Sequence, residues 1–402
     1  MQDETPSPLP QALLDDLPRR HARLRAALAP LEADALILTL NADLIYASGT
    51  VMNGWFYLPT EGAPVYYYRR PSDFAAWLPG FETVAVRRPE EIAEHLAATG
   101  RPLPRRLALE GDTLPAAEWF RLGTCFPGAA LVNGTDAIRT VRAVKTAYEI
   151  GCLRDGCRQH ARVVATFPSL YRRGMTDLDF SIALEHALRL NGSLGIFRAF
   201  GGRMEIFMGS VLAGDNAEAP SAYDFALGGA GVHPTLPIGA NRTTLREGMT
   251  VMADLAGNFN GYHSDCSRTY AIGTLPERVR EAHNVSIAIC EALAREGRSG
   301  ISCEALYTLA KRLADEAGLG AHFMGCRQQA KFVGHGVGLE INELPVLAAR
   351  TKAFLEAGMT IALEPKFVFP GVGAVGVENT YLVTDAGLEK LTVCDEALLT
   401  LV

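Results

Sequence analysis

The opening 140 residues alternate short apolar runs with stretches whose apolar positions recur at helical spacing. This pattern predicts a helix near 11–28, strands at 35–40, 44–47 and 65–69, and helices near 89–98 and 115–120. Strands interleaved with helices describe an α/β domain. The Asn133-Gly134 turn signal, followed by a helix from about Lys145, sets a boundary: one domain over 1–140, a linker near 136–144 and a second domain over 141–402.

Beyond the boundary the rhythm changes. A helical stretch over 146–172 is followed directly by a second helix, which Thr176 and Asp179 introduce in the manner of a capping box. The same pairing returns with helices near 276–295 and 302–316, and each pair leads into a glycine-rich, β-branched segment. The strands make the repetition firmer. Gly248-Met-Thr-Val-Met-Ala-Asp254 and Gly358-Met-Thr-Ile-Ala-Leu-Glu364 align at a constant offset of 110. Downstream, Asp265 precedes Thr269-Tyr270 and Glu378 precedes Thr380-Tyr381. Each copy therefore carries a carboxylate within a strand, a turn, and a second carboxylate.

Those carboxylates stand in apolar surroundings. An unpaired buried charge costs several kcal/mol and normally shifts its pKa or finds a cation, so a carboxylate such as Asp254, set among Val, Met, Ala and Leu, calls for compensation. A hairpin turning at Asn260-Gly261 places Asp254 opposite Ser267 and Asp265 opposite Ala256, which puts both aspartates on one face. In the second copy, a loop centred on Gly371 sets Glu364 opposite Glu378. Between the hairpins, Gly334-His335-Gly336-Val-Gly338 offers an imidazole where glycines permit close approach. Four carboxylates and one imidazole suit two divalent ions, with Mn²⁺ first among Mn²⁺, Co²⁺, Zn²⁺ and Fe²⁺. Water shared by two such ions is deprotonated near neutral pH and a carbonyl beside them is polarised, which together amount to metal-assisted amide hydrolysis.

Composition narrows the setting. With 402 residues, 48% hydrophobic and 21% charged, the chain has the profile of a soluble protein with a sizeable core, and disorder and collagen are excluded. Lys plus Arg number 38 against 45 acids, and the net charge of −7 argues against nucleic acid as a partner. No run approaches the ~18 apolar residues of a membrane span. Residues 1–10 carry two acids and three prolines and read as a short disordered lead-in, not as a signal peptide, so a cytoplasmic protein is expected. Eight scattered cysteines without a CxxC pair are expected to be free thiols. Gly371-Val-Gly-Ala-Val-Gly376 satisfies the dinucleotide fingerprint as a bare pattern, but the following segment is β-patterned where a helix is required. Neither a Gly-x-Ser-x-Gly elbow nor an HExxH motif occurs. His263 and Cys266 are assigned structural roles.

Taken in order, Asp254, Asp265, His335, Glu364 and Glu378 resemble the ligand set of the M24-type metallopeptidases with the pita-bread fold, a family that includes methionine aminopeptidases, Xaa-Pro aminopeptidases and Xaa-Pro dipeptidases. The surrounding residues carry the resemblance: Asp254-Leu-Ala-Gly, Ser264-Asp-Cys-Ser-Arg-Thr, Gly334-His-Gly-Val-Gly, Leu363-Glu-Pro and Val377-Glu-Asn-Thr. Ala35-Leu-Ile-Leu-Thr with Asp43-Leu-Ile-Tyr-Ala-Ser-Gly is similar to the creatinase/prolidase N-terminal domain and favours the proline-specific branch. The resemblance implies an α/β N-terminal domain and an α+β pita-bread C-terminal domain with internal pseudo-two-fold duplication. It also implies a homodimer, a short proline-containing peptide as substrate, and Glu364 as both ligand and proton shuttle. Three positions depart from the pattern. Asn342-Glu-Leu-Pro stands where the family has His-Glu-x-Pro, so Asn342 becomes the candidate substrate contact. Gly376 replaces an arginine, and His233, the candidate for a further active-site histidine, lies about four residues too far upstream of Asp254 for the family pattern, with Pro237 in the expected place. These departures keep two alternatives open: a metal-dependent small-molecule amide or amidine hydrolase of the creatinase type, and a catalytically silent binding protein on the same fold.

Overall fold

The computed structural model describes residues 9–70, 82–201, 204–220, 222–223 and 225–402. Most of the lead-in expected at 1–10 therefore lies outside the described residues. The chain divides into two compact units, Met1–Arg142 and Ala143–Val402. Among the described residues no helix is long and apolar enough to cross a membrane.

The first unit runs α1 (Gln11–Leu28), β1 (Ala35–Leu38), α2 (Asn41–Ser48), β2 (Asn53–Pro59), β3 (Val65–Arg70), β4 (Glu82–Ala85), α3 (Glu90–Ala98), β5 (Arg106–Leu109), α4 (Ala116–Cys125), β6 (Ala130–Asn133) and α5 (Thr135–Ala143). Its mixed sheet has the order β4-β3-β2-β1-β5-β6. Every residue of the central β1 is buried, as expected of a strand covered on both faces. Ile37, Tyr57, Tyr67 and Leu107 of the sheet share one core with Ile92, Leu96 and Leu122 of α3 and α4.

Two expectations fail in this unit. The apolar run at 44–47 belongs to helix α2 and is not a strand; four apolar residues carry no decisive period, whereas Asp43 in the first turn and Gly49 in the left-handed conformation (φ 81°) at the end act as helix signals. The expected linker near 136–144 is mostly α5, because Asn133 Oδ1 accepts the N–H of Thr135 and closes the turn that starts it.

The second unit contains α6 (Ala147–Val164), α7 (Asp177–Leu190), β7 (Gly209–Ala213), β8 (Met249–Asn258), β9 (His263–Ile272), α8 (Glu277–Glu296) and α9 (Cys303–Glu316). These are followed by β10 (Phe332–Gly336), β11 (Glu343–Ala348), β12 (Thr360–Leu363), β13 (Lys366–Phe369), β14 (Gly373–Gly376), β15 (Asn379–Val383), β16 (Leu388–Lys390) and β17 (Leu399–Leu401). One sheet has the order β17-β9-β8-β7 and another β11-β10-β12-β15-β16, while β13 and β14 form a separate ribbon. Each helix pair packs on its own sheet. Val163, Phe180 and Leu184 of α6 and α7 bury against Val211, Val251 and Tyr270. Ile289, Leu293 and Leu306 of α8 and α9 bury against Ile361, Leu363 and Tyr381.

The long helix expected over 146–172 stops at Val164 and gives way to a 3₁₀ turn at Phe167–Leu170, since Pro168 has no N–H with which to continue an α-helix. The Thr176 cap is realised in full: its side chain accepts from the Asp179 N–H while the Asp179 side chain accepts from the Thr176 N–H. Removing such a cap costs about 1 kcal/mol. Thr176→Ala is accordingly expected to lower the unfolding free energy measured in urea by that amount and to accelerate amide exchange in the first turn of α7; an unchanged exchange pattern would contradict the assignment.

Candidate metal centre

The β8–β9 hairpin has the register its turn implies, with Asp254 opposite Ser267 and Ala256 opposite Asp265. Both aspartates therefore project from one face. The second pair of carboxylates is positioned by two ladders that share a register. Leu363 pairs with Asn379 on one side and Lys366 with Gly376 on the other, so Glu364 stands opposite Glu378. His335 lies on β10, between β11 and β12, where it pairs with Val346 and Ala362. The glycines beside it are dictated by this crowding: a Cβ on Gly334 would come within 2.3 Å of the Ala362 carbonyl oxygen, and one on Gly336 within 2.1 Å of that of Leu344.

Backbone bonds join the two hairpins. The Glu378 N–H donates to the Ser267 carbonyl at 3.1 Å. Thr380 Oγ1 accepts the Asp265 N–H at 2.9 Å and donates to the Asp265 carbonyl at 3.0 Å. The Arg268 guanidinium donates to the carbonyls of Ser267 and Glu378 at 2.7 and 2.9 Å.

All five expected ligands border one cavity, whose remaining wall is largely apolar and includes Phe197, Ile206, Phe225, Leu227, Ile238 and Phe332. Asp265, His335 and Glu378 offer ligand atoms within 4.8 Å of one another, and so do Asp254, Glu364 and Glu378. His335 Nδ1 lies 3.1 Å from the Gly336 carbonyl, which can only accept. With Nδ1 turned to that carbonyl, Nε2 faces Glu364 Oε1 at 3.5 Å and Asp265 Oδ2 at 3.7 Å. Oxygen donors with one imidazole fit a divalent first-row ion.

One residue of the centre was not anticipated. The Lys366 ammonium, fully buried, donates to Asp254 Oδ2 and Glu364 Oε2 at 2.7 Å each and to Glu378 Oε2 at 3.1 Å. The Ser267 hydroxyl adds a 2.6 Å bond to Glu378 Oε2. Burial raises the Asp254 carboxyl, but Lys366 overrides it and holds the group below the usual range. Burial, with Asp254 and Glu364 as neighbouring charges, pushes Asp265 well up, and burial together with Asp265 and Glu364 does the same for Glu378. For Lys366, burial works against the charge, yet the carboxylates of Asp254, Glu364 and Glu378 raise it well above the normal lysine value. The cluster is short of positive charge on its Asp265 side.

The other expected residues are placed differently. His233 is exposed at a turn, its Nδ1 2.8 Å from Thr235 Oγ1, and is not among the described residues lining the cavity. Asn342 does line it, but its amide clasps a neighbouring segment: Oδ1 accepts the Phe200 N–H at 2.6 Å and Nδ2 donates to the Phe200 carbonyl at 3.0 Å. His263 shares the face of Asp265 by parity, yet its ring is held by the Gly338 carbonyl and the Arg198 N–H. Cys266 lies buried with its Sγ 4.0 Å from that of Cys394, and none of the eight cysteines is in a disulfide.

A buried cluster of alternating carboxylates and one imidazole, carried on paired hairpins beneath an apolar cavity, is the arrangement of a metal-dependent hydrolase. The chain belongs to metallopeptidase family M24, whose sequence model matches residues 151–385, more than half of its length. The Creatinase/Prolidase N-terminal domain matches residues 20–144. Among curated proteins the chain is 25% identical over 370 residues to the Xaa-Pro dipeptidase of Pyrococcus furiosus, covering 91% of this chain and 95% of that protein. It is 27% identical over 405 residues to the probable dipeptidase PepE of Mycobacterium tuberculosis, covering 95% and 96%. Its fold superposes on the solved Xaa-Pro dipeptidase from Bacillus anthracis with a TM-score of 0.80 at 23% identity, over 96% of this chain and 100% of that one. The architecture is therefore an α/β N-terminal domain with a pita-bread C-terminal domain.

Two buried histidines beside this hairpin give a pH signature. His160, with Nδ1 3.0 Å from Ser264 Oγ, is pushed down by burial to about 3, and His263 by burial to about 4. Both stay neutral in the folded chain while an unfolded histidine titrates near 6.5. Their contribution is thus complete above pH 6.5 and is lost as the pH falls toward 4 and 3. At pH 5 it is reduced by about 2 kcal/mol for each. Urea midpoints measured between pH 7 and 5 are expected to change less steeply toward acid in His263→Gln than in the parent; equal slopes would contradict the buried neutral state.

Proposed function

We propose that this chain hydrolyses the amide bond of Xaa-Pro in short peptides, using divalent metal held within the cluster of Asp254, Asp265, His335, Glu364 and Glu378. The observation that carries the reading is the convergence of Asp265, His335, Glu364 and Glu378 on one cavity, with the imidazole Nε2 turned inward. The M24 family membership and the Xaa-Pro dipeptidases among the relatives support the same chemistry. Bound metal activates water and polarises the scissile carbonyl.

The chain's own residues supply the rest. The leaving group is the ring nitrogen of proline, which cannot depart as an anion and must receive a proton. Glu364 is placed for that task, because Lys366 occupies its Oε2 while its Oε1 faces the His335 side of the centre. It takes a proton from the attacking water and returns it to the departing amine. The apolar wall of Phe197, Ile206, Phe225 and Phe332 suits a pyrrolidine ring and excludes bulk water from the reacting bond. Asn342 acts here through Phe200, as a positioning residue for that wall. Mn²⁺ is the preferred ion, a homodimer in the cytoplasm the preferred setting, and the division into 1–140 and 141–402 the preferred domain description. The free cysteines are consistent with a reducing compartment.

Metal-supplemented protein is expected to cleave Xaa-Pro dipeptides in preference to Xaa-Ala controls and to lose that activity on chelation. Glu364→Gln should lower kcat by about 10²- to 10⁴-fold, the range for removal of a general acid–base. Absence of hydrolysis of any Xaa-Pro peptide by metal-loaded protein would refute the assignment.

A further inference from the structure

Lys366 sits where a metal ion's oxygens are. The carboxylates that receive its ammonium, Asp254, Glu364 and Glu378, form one of the two clusters able to hold an ion. The lysine has no alternative position, since every residue of β13 is buried and its own side chain is fully enclosed. A divalent ion on the same three carboxylates would displace the ammonium from the partners it has among the described residues and leave two cations side by side in a buried site. Ion and lysine exclude one another there.

The other cluster retains its donors. Lys366 takes only one oxygen from each carboxylate, and the Ser267 hydroxyl shares the oxygen of Glu378 that Lys366 already uses. Asp265, His335 and Glu378 form that second cluster, and Glu364 Oε1, which Lys366 does not use, lies 3.5 Å from His335 Nε2 beside it. The ladder partner of Lys366 is Gly376, with φ 147° and space so limited that a Cβ would lie 2.6 Å from the Pro365 carbonyl oxygen. A large side chain is therefore disfavoured at 376, and this ribbon presents its cation from 366 instead.

We propose that Lys366 takes the place of one of two divalent ions, giving a centre with a single ion on Asp265, His335, Glu364 and Glu378 beside a fixed ammonium among Asp254, Glu364 and Glu378. This rests on the metallopeptidase reading above, and the test separates the two. The full chain, stripped by chelator, reloaded with Mn²⁺ and freed of excess, is assayed for bound manganese by mass spectrometry and for its electron paramagnetic resonance. One Mn²⁺ per chain with an uncoupled signal is expected, while Lys366→Gly should bind two and show an exchange-coupled spectrum. Two tightly held ions in the parent chain, or one in a folded Lys366→Gly variant, would overturn the proposal; should that variant not fold, the parent stoichiometry decides. No bound ion at all would overturn both readings. One ion without Xaa-Pro hydrolysis would sustain the inference and sink the peptidase reading, and two ions with hydrolysis would do the reverse.

Discussion

Four carboxylates in one buried cavity repel each other, and the structure of the second unit is arranged around holding them together. The work is done by backbone as much as by cations. Glu378 N–H reaches the Ser267 carbonyl, Thr380 bonds both backbone groups of Asp265, and Arg268 grips the carbonyls of Ser267 and Glu378. These bonds lock β9 to the segment entering β15, so the carboxylates of one hairpin cannot retreat from those of the other. Burying an unpaired carboxylate costs several kcal/mol. The Lys366 ammonium meets part of that cost, and the elevated Asp265, to which it makes no bond, marks where it does not reach.

Much of this was legible in the sequence because strand geometry has a period of two and a turn sets the register. Asn260-Gly261 was enough to place Asp254 opposite Ser267, and a loop about Gly371 to place Glu364 opposite Glu378. The run in helix α2 carries no period because it is short, and the bond between Asn342 and Phe200 joins residues far apart in sequence. Distance along the chain hides such contacts, whereas parity within a strand does not.

Lys366 belongs to the second kind. It lies two residues from Glu364, so alternation alone puts both side chains on one face, and a lysine opening the apolar run Lys-Phe-Val-Phe is out of place unless paired. The same rule that located the aspartates would have located the lysine. A metal-ligand pattern consists of anions and imidazoles, whereas a cation is the competitor of any metal.

An ammonium joined to its site through covalent bonds cannot be diluted, chelated or exchanged. Asp254, Glu364 and Glu378 are therefore kept in their native arrangement by a component that is synthesised with the chain, and the half of the centre they form is preorganised whatever the supply of metal outside. A pair of dissociable ions would make the order of all four carboxylates a function of metal concentration. In the proposed single-ion centre only the Asp265 and His335 side would depend on it, so scarcity of metal would idle that centre without dismantling it.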